Sequence, residues 1–458
     1  MNIFLRTQRK ALHILAVVAV LGFCLHLTGC VSGQRLSPQA SLPIEDLSSY
    51  SQLTNSYIDP LGGNSELLTP DQAAEQAQYM RRMWFSPWHR STPGAAAYDI
   101  PQYLKRVDPS VFYGEDMRPY SSAWKQKLEL RSQLRSFPNS GFAAITIRNT
   151  ALRLFPTRHP AFRDFRKAGQ GWPFDLLQNT GVWSQTPVYI SHISQDGAWL
   201  LAETHYAAGW LPAEDIVQVS PSLQRRLESS DLSAVIVDNS PLTDVYNLYR
   251  GSARIGMLMP EVDGKLLLVV PDASHQASVV QVQAPPMSVQ HFPYALTERH
   301  LSQLADSMIG QRYGWGGLYQ NRDCSSLLMD LYLPFGIRLP RNSFQQAKST
   351  VSSISFEGLE RSEKLALIKE KAIPWMTLFW KPGHIMLYIG EKDGVPLMYH
   401  AMWGLATRSR SGEEGRLVIG RVSITSLVPG REDPCVTRTG KALIDSFQQM
   451  SFLPVKVE

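Results

Sequence analysis

Cysteine is scarce in this chain, four in 458 residues, which excludes a small scaffold stapled by disulfides and leaves stability to buried apolar cores. Charge of one sign is lacking too. The formal net charge is +5, from 45 basic and 40 acidic residues scattered along the chain, too weak a balance to argue for nucleic acid. Long apolar runs are missing except for Ala11 to Leu27, and that one is short for a membrane span. What remains is ordinary globular material, 44% hydrophobic and 19% charged, neither disordered nor collagenous. The length suggests two to four domains, and 31 Gly with 30 Pro point to many turns and β-rich parts rather than one helical bundle.

Arg6, Arg9 and Lys10 precede the apolar run, as the charged region of a cleaved export signal precedes its hydrophobic stretch. The run closes on Leu27-Thr28-Gly29-Cys30, which resembles the bacterial lipobox. That resemblance implies removal of residues 1–29 and lipidation of Cys30, giving a membrane partner through an anchor of two or three acyl chains. Val31, where Asp is absent, favours the outer membrane by resemblance to Gram-negative lipoproteins, so the expected location is the cell envelope, facing the periplasm. Without Arg6, Arg9 and Lys10 the charge is +2, a nearly balanced surface. Cys24 leaves with the signal, so the exported domains keep Cys324 and Cys435, and a disulfide between them is one reading of the pair.

Residues 30–58, rich in Ser, Gln, Pro and Leu, suit a tether. Over 59–140 the signals are helical: Asp71 to Arg82 opens after Thr69-Pro70, and Ser121 or Ser122 can cap a helix carrying Trp124, Leu128, Arg131 and Leu134. Over 141–222 the period becomes that of strands, with Val188 to Ile193, a turn at Gln195-Asp196-Gly197, and a return over Ala198 to Ala202. A similar pattern occupies 223–288, with Ala253 to Met259, the Asp263-Gly264 turn and Lys265 to Val270. Two short all-β units read as small barrels. Leu152 to Pro156 with Asp175, Gln178, Asp196-Gly197, Trp199 and Gly209-Trp210 resembles a bacterial SH3 module, and Arg254, Gly256 and Pro260 resemble a second. Trp199 and Trp210 read as core.

After Pro285 and Pro286, a helix from Thr297 through Asp306 stops at Gly310, followed by Tyr313-Gly314-Trp315-Gly316-Gly317 and Arg322-Asp323-Cys324-Ser325-Ser326. A helix starting near Asp323 puts Cys324, Leu327, Leu328 and Leu331 on one buried face, with the thiol in the first turn. The free N–H groups and positive dipole end there stabilise a thiolate, the nucleophilic form. Pro382-Gly383-His384 opens a strand through Ile389, Lys392-Asp393-Gly394 turns, and Val395 to Ala401 contains Tyr399-His400. A three-residue turn would pair Met386 with His400 and make His384 and His400 diagonal neighbours on one face. A two-residue Asp-Gly turn would send them to opposite faces.

Residues 294–440 resemble the NlpC/P60 cysteine peptidases, papain-like enzymes that cut bacterial cell-wall peptides. The matching text is Tyr-Gly-Trp-Gly-Gly at 313–317, Asp-Cys-Ser at 323–325, Leu-Pro-Arg at 339–341, Gly-His at 383–384, and His400. The implied fold is a multidomain α+β chain: a papain-like catalytic domain over 294–440, preceded by two SH3-like β-barrels and a small helical region, with 441–458 left as a tail. The resemblance makes Cys324 the nucleophile, His384 the general base and then acid, and His400 the residue that orients His384. It implies no cofactor, and Cys…His…His at these separations, with His300 included, lacks a compact metal-ligand pattern.

The relatives suggest γ-D-glutamyl-diamino-acid endopeptidase activity on peptidoglycan stem peptides or muropeptides. Tyr313, Trp315, Asp323, Ser325, Arg341, Asn342 and Ser343 are the candidate substrate-binding residues. Arg341, Ser325 and Ser343 are candidates for the free α-carboxylate of D-glutamate, although Arg341 has Asp323 or Asp330 as alternative partners. Relatives that require a free L-Ala amine carry an acid after Pro-Arg. Asn342 stands there instead, so substrates attached to glycan stay open. A silent wall-binding scaffold and an acyl transferase using the same triad are the competing functions.

Overall fold

Thr69 Oγ1 accepts the Gln72 N–H and Gln72 Oε1 accepts the Thr69 N–H, at 3.3 and 3.0 Å. This reciprocal cap, with Pro70 at the first helical position, starts the helix Pro70–Phe85. The computed structural model describes residues 43–457. The export signal, Cys30 and the first part of the expected tether lie outside the described residues. Helices Ala95–Arg106 and Ser122–Ser132 complete the helical region. Met80, Trp84, Phe85 and Trp88 are buried in one cluster with Ile145, Val217, Leu258 and Leu267, so the first helix wedges between two β-sheets. Among the described residues no helix is long and apolar enough to cross a membrane.

Each of the two sheets has seven antiparallel strands. Numbered along the chain within each sheet, both follow the order 3-2-6-5-4-1-7, so the two β-units share one topology. The hairpin read near 190 is present, with Tyr189 opposite Glu203. Trp199 and Trp210 are buried. In the second sheet the stretch Ala253 to Met259 is not one strand: Tyr249–Ala253 ends, the chain turns, and Leu258–Val262 begins. Positive φ at Gly256 makes the reversal that periodicity alone did not reveal.

The catalytic sheet comprises β1 (Thr350–Ser355), β2 (Thr377–Lys381), β3 (His384–Lys392), β4 (Val395–Arg408), β5 (Glu414–Thr425) and β6 (Gln449–Val455). Its order is β1-β6-β2-β3-β4-β5. The expected tail 441–458 is therefore corrected, because β6 is an inner strand with Met450, Ser451, Leu453 and Val455 buried. The expected tether is corrected over 43–58 as well. There Gln52 bonds both the N–H and the C=O of Ile424, Asp46 Oδ2 accepts the Ser426 N–H, and Thr54 donates to Asp306. This strap covers the end of the edge strand β5, where the Ile424 backbone groups bond Gln52, while Gly420 and Val422 bond residues 310–313.

Candidate active site

Asp323 caps the helix Cys324–Tyr332: its Oδ1 accepts the Ser326 N–H and Ser326 Oγ accepts the Asp323 N–H, both at 2.9 Å. All nine helical residues are buried, where the apolar spacing predicted one buried face with Cys324, Leu327, Leu328 and Leu331. The helix packs on β3 and β4, and the backbone N–H groups of Ile385 and Ser325 point at the Cys324 sulfur. Ile385 follows His384, so the thiol lies beside the strand that carries the imidazole.

The turn between β3 and β4 differs from the expected one, yet the histidines still meet. Asp393 and Gly394 both have positive φ, and Lys392 pairs with Val395, a two-residue turn. Left alone, that register would put the rings on opposite faces. A β-bulge intervenes: Gly390 pairs with Leu397 but Tyr388 pairs with Met398, leaving Ile389 as the extra residue. Beyond it Leu387 faces Tyr399, so Met386 comes opposite His400 and the two rings share a face. His384 Nε2 lies 2.8 Å from His400 Nδ1.

One further residue fixes the protons. Thr425 Oγ1 donates to the Ser426 carbonyl at 3.0 Å, so it accepts from His400 Nε2, also at 3.0 Å. His400 therefore keeps its proton on Nε2 and accepts at Nδ1 from the His384 Nε2–H, which leaves the lone pair of His384 on Nδ1. Sequence reasoning missed Thr425. Its signal was the alternation Ser423-Ile424-Thr425, which puts Thr425 on the face of His400 once β4 pairs His400 with Ser423.

All three central groups are neutral at pH 7. Burial, with smaller contributions from His400 and Lys381, holds His384 well below the ordinary imidazole range. Burial brings His400 down to about 3. Burial, reinforced by Asp323, pushes the Cys324 thiol up to about 12, against the pull of the Ile385 N–H and Arg341. Desolvation opposes the helix-terminus stabilisation of a thiolate expected from the sequence. Cys324 and Cys435 are both free thiols.

The other candidates fall into two groups. Tyr313 shares an electrostatic environment with the sulfur, since burial and then Cys324 raise its hydroxyl well above the ordinary range. Arg341 is engaged internally, donating to Asp323 at 2.6 and 3.1 Å, to Ser325 Oγ at 2.8 Å and to Thr180 Oγ1 at 2.6 Å. Burial opposes the Asp323 charge, but Arg341 and Ser326 keep it below the usual carboxylate range. Asp330 pairs with Arg322 instead. Trp315 Nε1 donates to the Asp175 carbonyl at 3.1 Å, joining the catalytic loop to the first β-unit. Asn342 caps the helix Ser343–Ser349 through the Phe344 N–H, so its amide oxygen already has a local partner and Ser343 opens that helix. Cys30 lies outside the described residues.

A thiol in the first turn of a buried helix, against the strand whose imidazole a second imidazole and a hydroxyl orient, is an arrangement suited to nucleophilic cysteine chemistry on an α+β domain. Three segments of the chain match known families. Residues 17–137 match the NLPC_P60 stabilising domain, residues 160–212 an SH3 domain of the SH3b1 type, and residues 310–402 the NlpC/P60 family. Among solved structures, an NlpC/P60 endopeptidase from Photobacterium damselae subsp. piscicida shares the fold. Its TM-score is 0.80 at 24% identity over 89% of this chain and 98% of that one. An NlpC/P60 family protein from Bacillus cereus ATCC 10987 aligns with a TM-score of 0.41 at 14% identity, over 68% of this chain and 100% of the other. No curated protein matches the chain. The chain carries an NlpC/P60 domain preceded by an NLPC_P60 stabilising domain and an SH3 domain, and the NlpC/P60 match supports a cysteine endopeptidase of the peptidoglycan hydrolase class.

Proposed function

We propose that this protein is a lipid-anchored cysteine endopeptidase that hydrolyses the bond between γ-D-glutamate and diaminopimelate in peptidoglycan stem peptides. The observation that carries the chemistry is the oriented chain from Thr425 through His400 to His384, with the lone pair of His384 left on Nδ1. With thiol and imidazole both neutral, proton transfer accompanies attack. His384 takes the Cys324 proton as the sulfur adds to the amide carbonyl, then gives it to the leaving amine, and water hydrolyses the acyl-enzyme. The Cys324 N–H and the Tyr313 hydroxyl are the donors for the oxyanion.

Two acyl chains or more on Cys30 hold the enzyme in the outer membrane, facing the periplasm. Labelling with a radioactive fatty acid, lost in Cys30→Ser, checks the anchor.

The decisive assay incubates residues 31–458 with tri- and tetrapeptide stems, free and glycan-linked, and identifies the products by mass spectrometry beside Cys324→Ala. Cleavage after D-glutamate that needs Cys324 is the expected result. No Cys324-dependent product would leave a wall-binding scaffold, and products with an added amine would make the protein an acyl transferase.

A further inference from the structure

One hairpin loop of the second β-unit carries its apolar side chains outward. Val245, Tyr246, Leu248 and Tyr249 are 60, 79, 57 and 65% exposed, and only Asn247 interrupts them. Singly exposed apolar residues are ordinary, whereas a run of large ones makes a continuous patch that marks a contact surface. The strands Ser240–Asp244 and Tyr249–Ala253 flank it.

Hydrogen bonds to a single residue hold the loop in that shape. Asp244 Oδ1 accepts the N–H groups of Tyr246 at 2.9 Å and Leu248 at 3.0 Å. The Asp244 N–H donates to the Leu248 carbonyl at 3.0 Å, and the Asp244 carbonyl accepts the Asn247 N–H at 2.9 Å. Arg250 completes the set by donating to Asp244 Oδ2 at 2.8 and 2.6 Å. Carboxylate and guanidinium match each other, so the tip presents apolar surface and tyrosine hydroxyls without unmatched charge.

That composition points to the occupant. A folded partner needs about 20–30 residues a side for a stable interface, and one short convex turn falls far short of that. A bilayer needs no complementary groove. Aliphatic side chains beside tyrosines, whose rings sit at the hydrocarbon boundary while their hydroxyls reach the headgroups, make an interfacial anchor. The chain itself brings a bilayer within reach, because residues 30–42, between the Cys30 anchor and the strap, span at most about 45 Å.

The fold also sets which way the tip points. The strand Tyr249–Ala253 leads from it to Arg254, which donates to the Gln320 carbonyl at 2.8 Å, and to Ile255, buried in the catalytic core. At about 3.3 Å per residue this strand puts roughly 17 Å between the tip and the catalytic domain. A membrane that holds the tip leaves the catalytic domain on its aqueous side.

We propose that this loop is a second membrane contact, which inserts Val245, Tyr246, Leu248 and Tyr249 into the interface of a phospholipid bilayer. The inference rests on the lipid-anchor reading for its setting and deepens it: the anchor supplies proximity and the loop supplies orientation.

The test sediments residues 31–458, without lipid, across a titration of phosphatidylcholine vesicles and of vesicles mixing phosphatidylethanolamine with phosphatidylglycerol. Binding to both is expected, and it should change little from low to high salt, because the tip has no unmatched charge. The double variant Tyr246→Ser, Leu248→Ser should bind about tenfold or more weakly. Leu61→Ser, which removes an apolar side chain 95% exposed elsewhere, should bind as the wild type does. Urea midpoints confirm that the variants are folded. No vesicle binding by the wild type, binding confined to anionic vesicles and lost in salt, or undiminished binding by the double variant overturns the proposal. Self-association of the wild type that the double variant loses also overturns it, by making the patch a contact between copies of the chain. If Cys30 takes up no fatty acid, the anchor reading fails while the vesicle measurement on the unlipidated chain still decides the loop.

Discussion

Thr425→Val removes one oxygen and almost no volume, so it isolates the proton arrangement behind the base. In the native site Thr425 and His400 are both fully buried, and the hydroxyl accepts the His400 Nε2–H at 3.0 Å. With valine there, that N–H has no partner, at a penalty of about 1–3 kcal/mol for a buried donor. His400 can escape by moving its proton to Nδ1, but that atom lies 2.8 Å from His384 Nε2. Two N–H groups would then face each other unless His384 moves its own proton to Nδ1, which removes the lone pair that receives the thiol proton. If the active tautomer is disfavoured by about 1–3 kcal/mol, kcat falls about five- to 150-fold. KM changes little, because Thr425 is fully buried behind His400. Thr425→Ser, which keeps the acceptor, restores most of the rate. The assay is turnover at saturating stem peptide, alongside urea unfolding to confirm that the variants are folded. Wild-type kcat in Thr425→Val, or equal losses in the valine and serine variants, would refute the tautomer argument.

Three further outcomes follow from burial. Arg322 has no exposed surface and lies between Asp238, which accepts from both of its terminal nitrogens at 2.9 Å, and Asp330 at 2.6 Å. Asp238→Asn leaves the guanidinium under-compensated and should destabilise the protein by about 3–5 kcal/mol; a loss below about 1 kcal/mol in guanidinium unfolding would contradict this. Because the neutral form of His384 is the base and its protonation lies well below pH 6.5, kcat/KM at pH 6 should stay close to its pH 7.5 value, and a half-maximal point near 6.5 would contradict it. Stability moves the other way: the unfolded imidazole of His400 takes up a proton near pH 6.5 while the folded ring waits until about 3. The unfolded chain thus binds more protons in that interval, and stability declines as pH falls through it, by up to about 1.4 kcal/mol per pH unit for this ring.

Short-range features were legible in the sequence. The Thr69 cap, the hairpin around Asp196-Gly197 and the Asp323 helix start depend on hydrogen bonds and apolar spacing within a few residues, so the text of the chain determines them locally. Cys324, His384 and His400 were singled out by resemblance to family motifs, and the fold brings His384 and His400 together at 2.8 Å. What only the tertiary structure decided is everything that depends on distant partners. Ile389 is extruded as a bulge because β3 must satisfy the two-residue turn at one end and its packing at the other. β6 enters the sheet between β1 and β2 by pairing with strands that lie well before it in the chain, and the 43–58 strap reaches the end of β5 across 372 residues. The thiol is neutral because the surrounding domain removes water from it, a desolvation that the N-terminal position of Cys324 in its helix does not reveal. Local hydrogen bonds are encoded where they form, whereas register, burial and protonation are properties of the assembled fold.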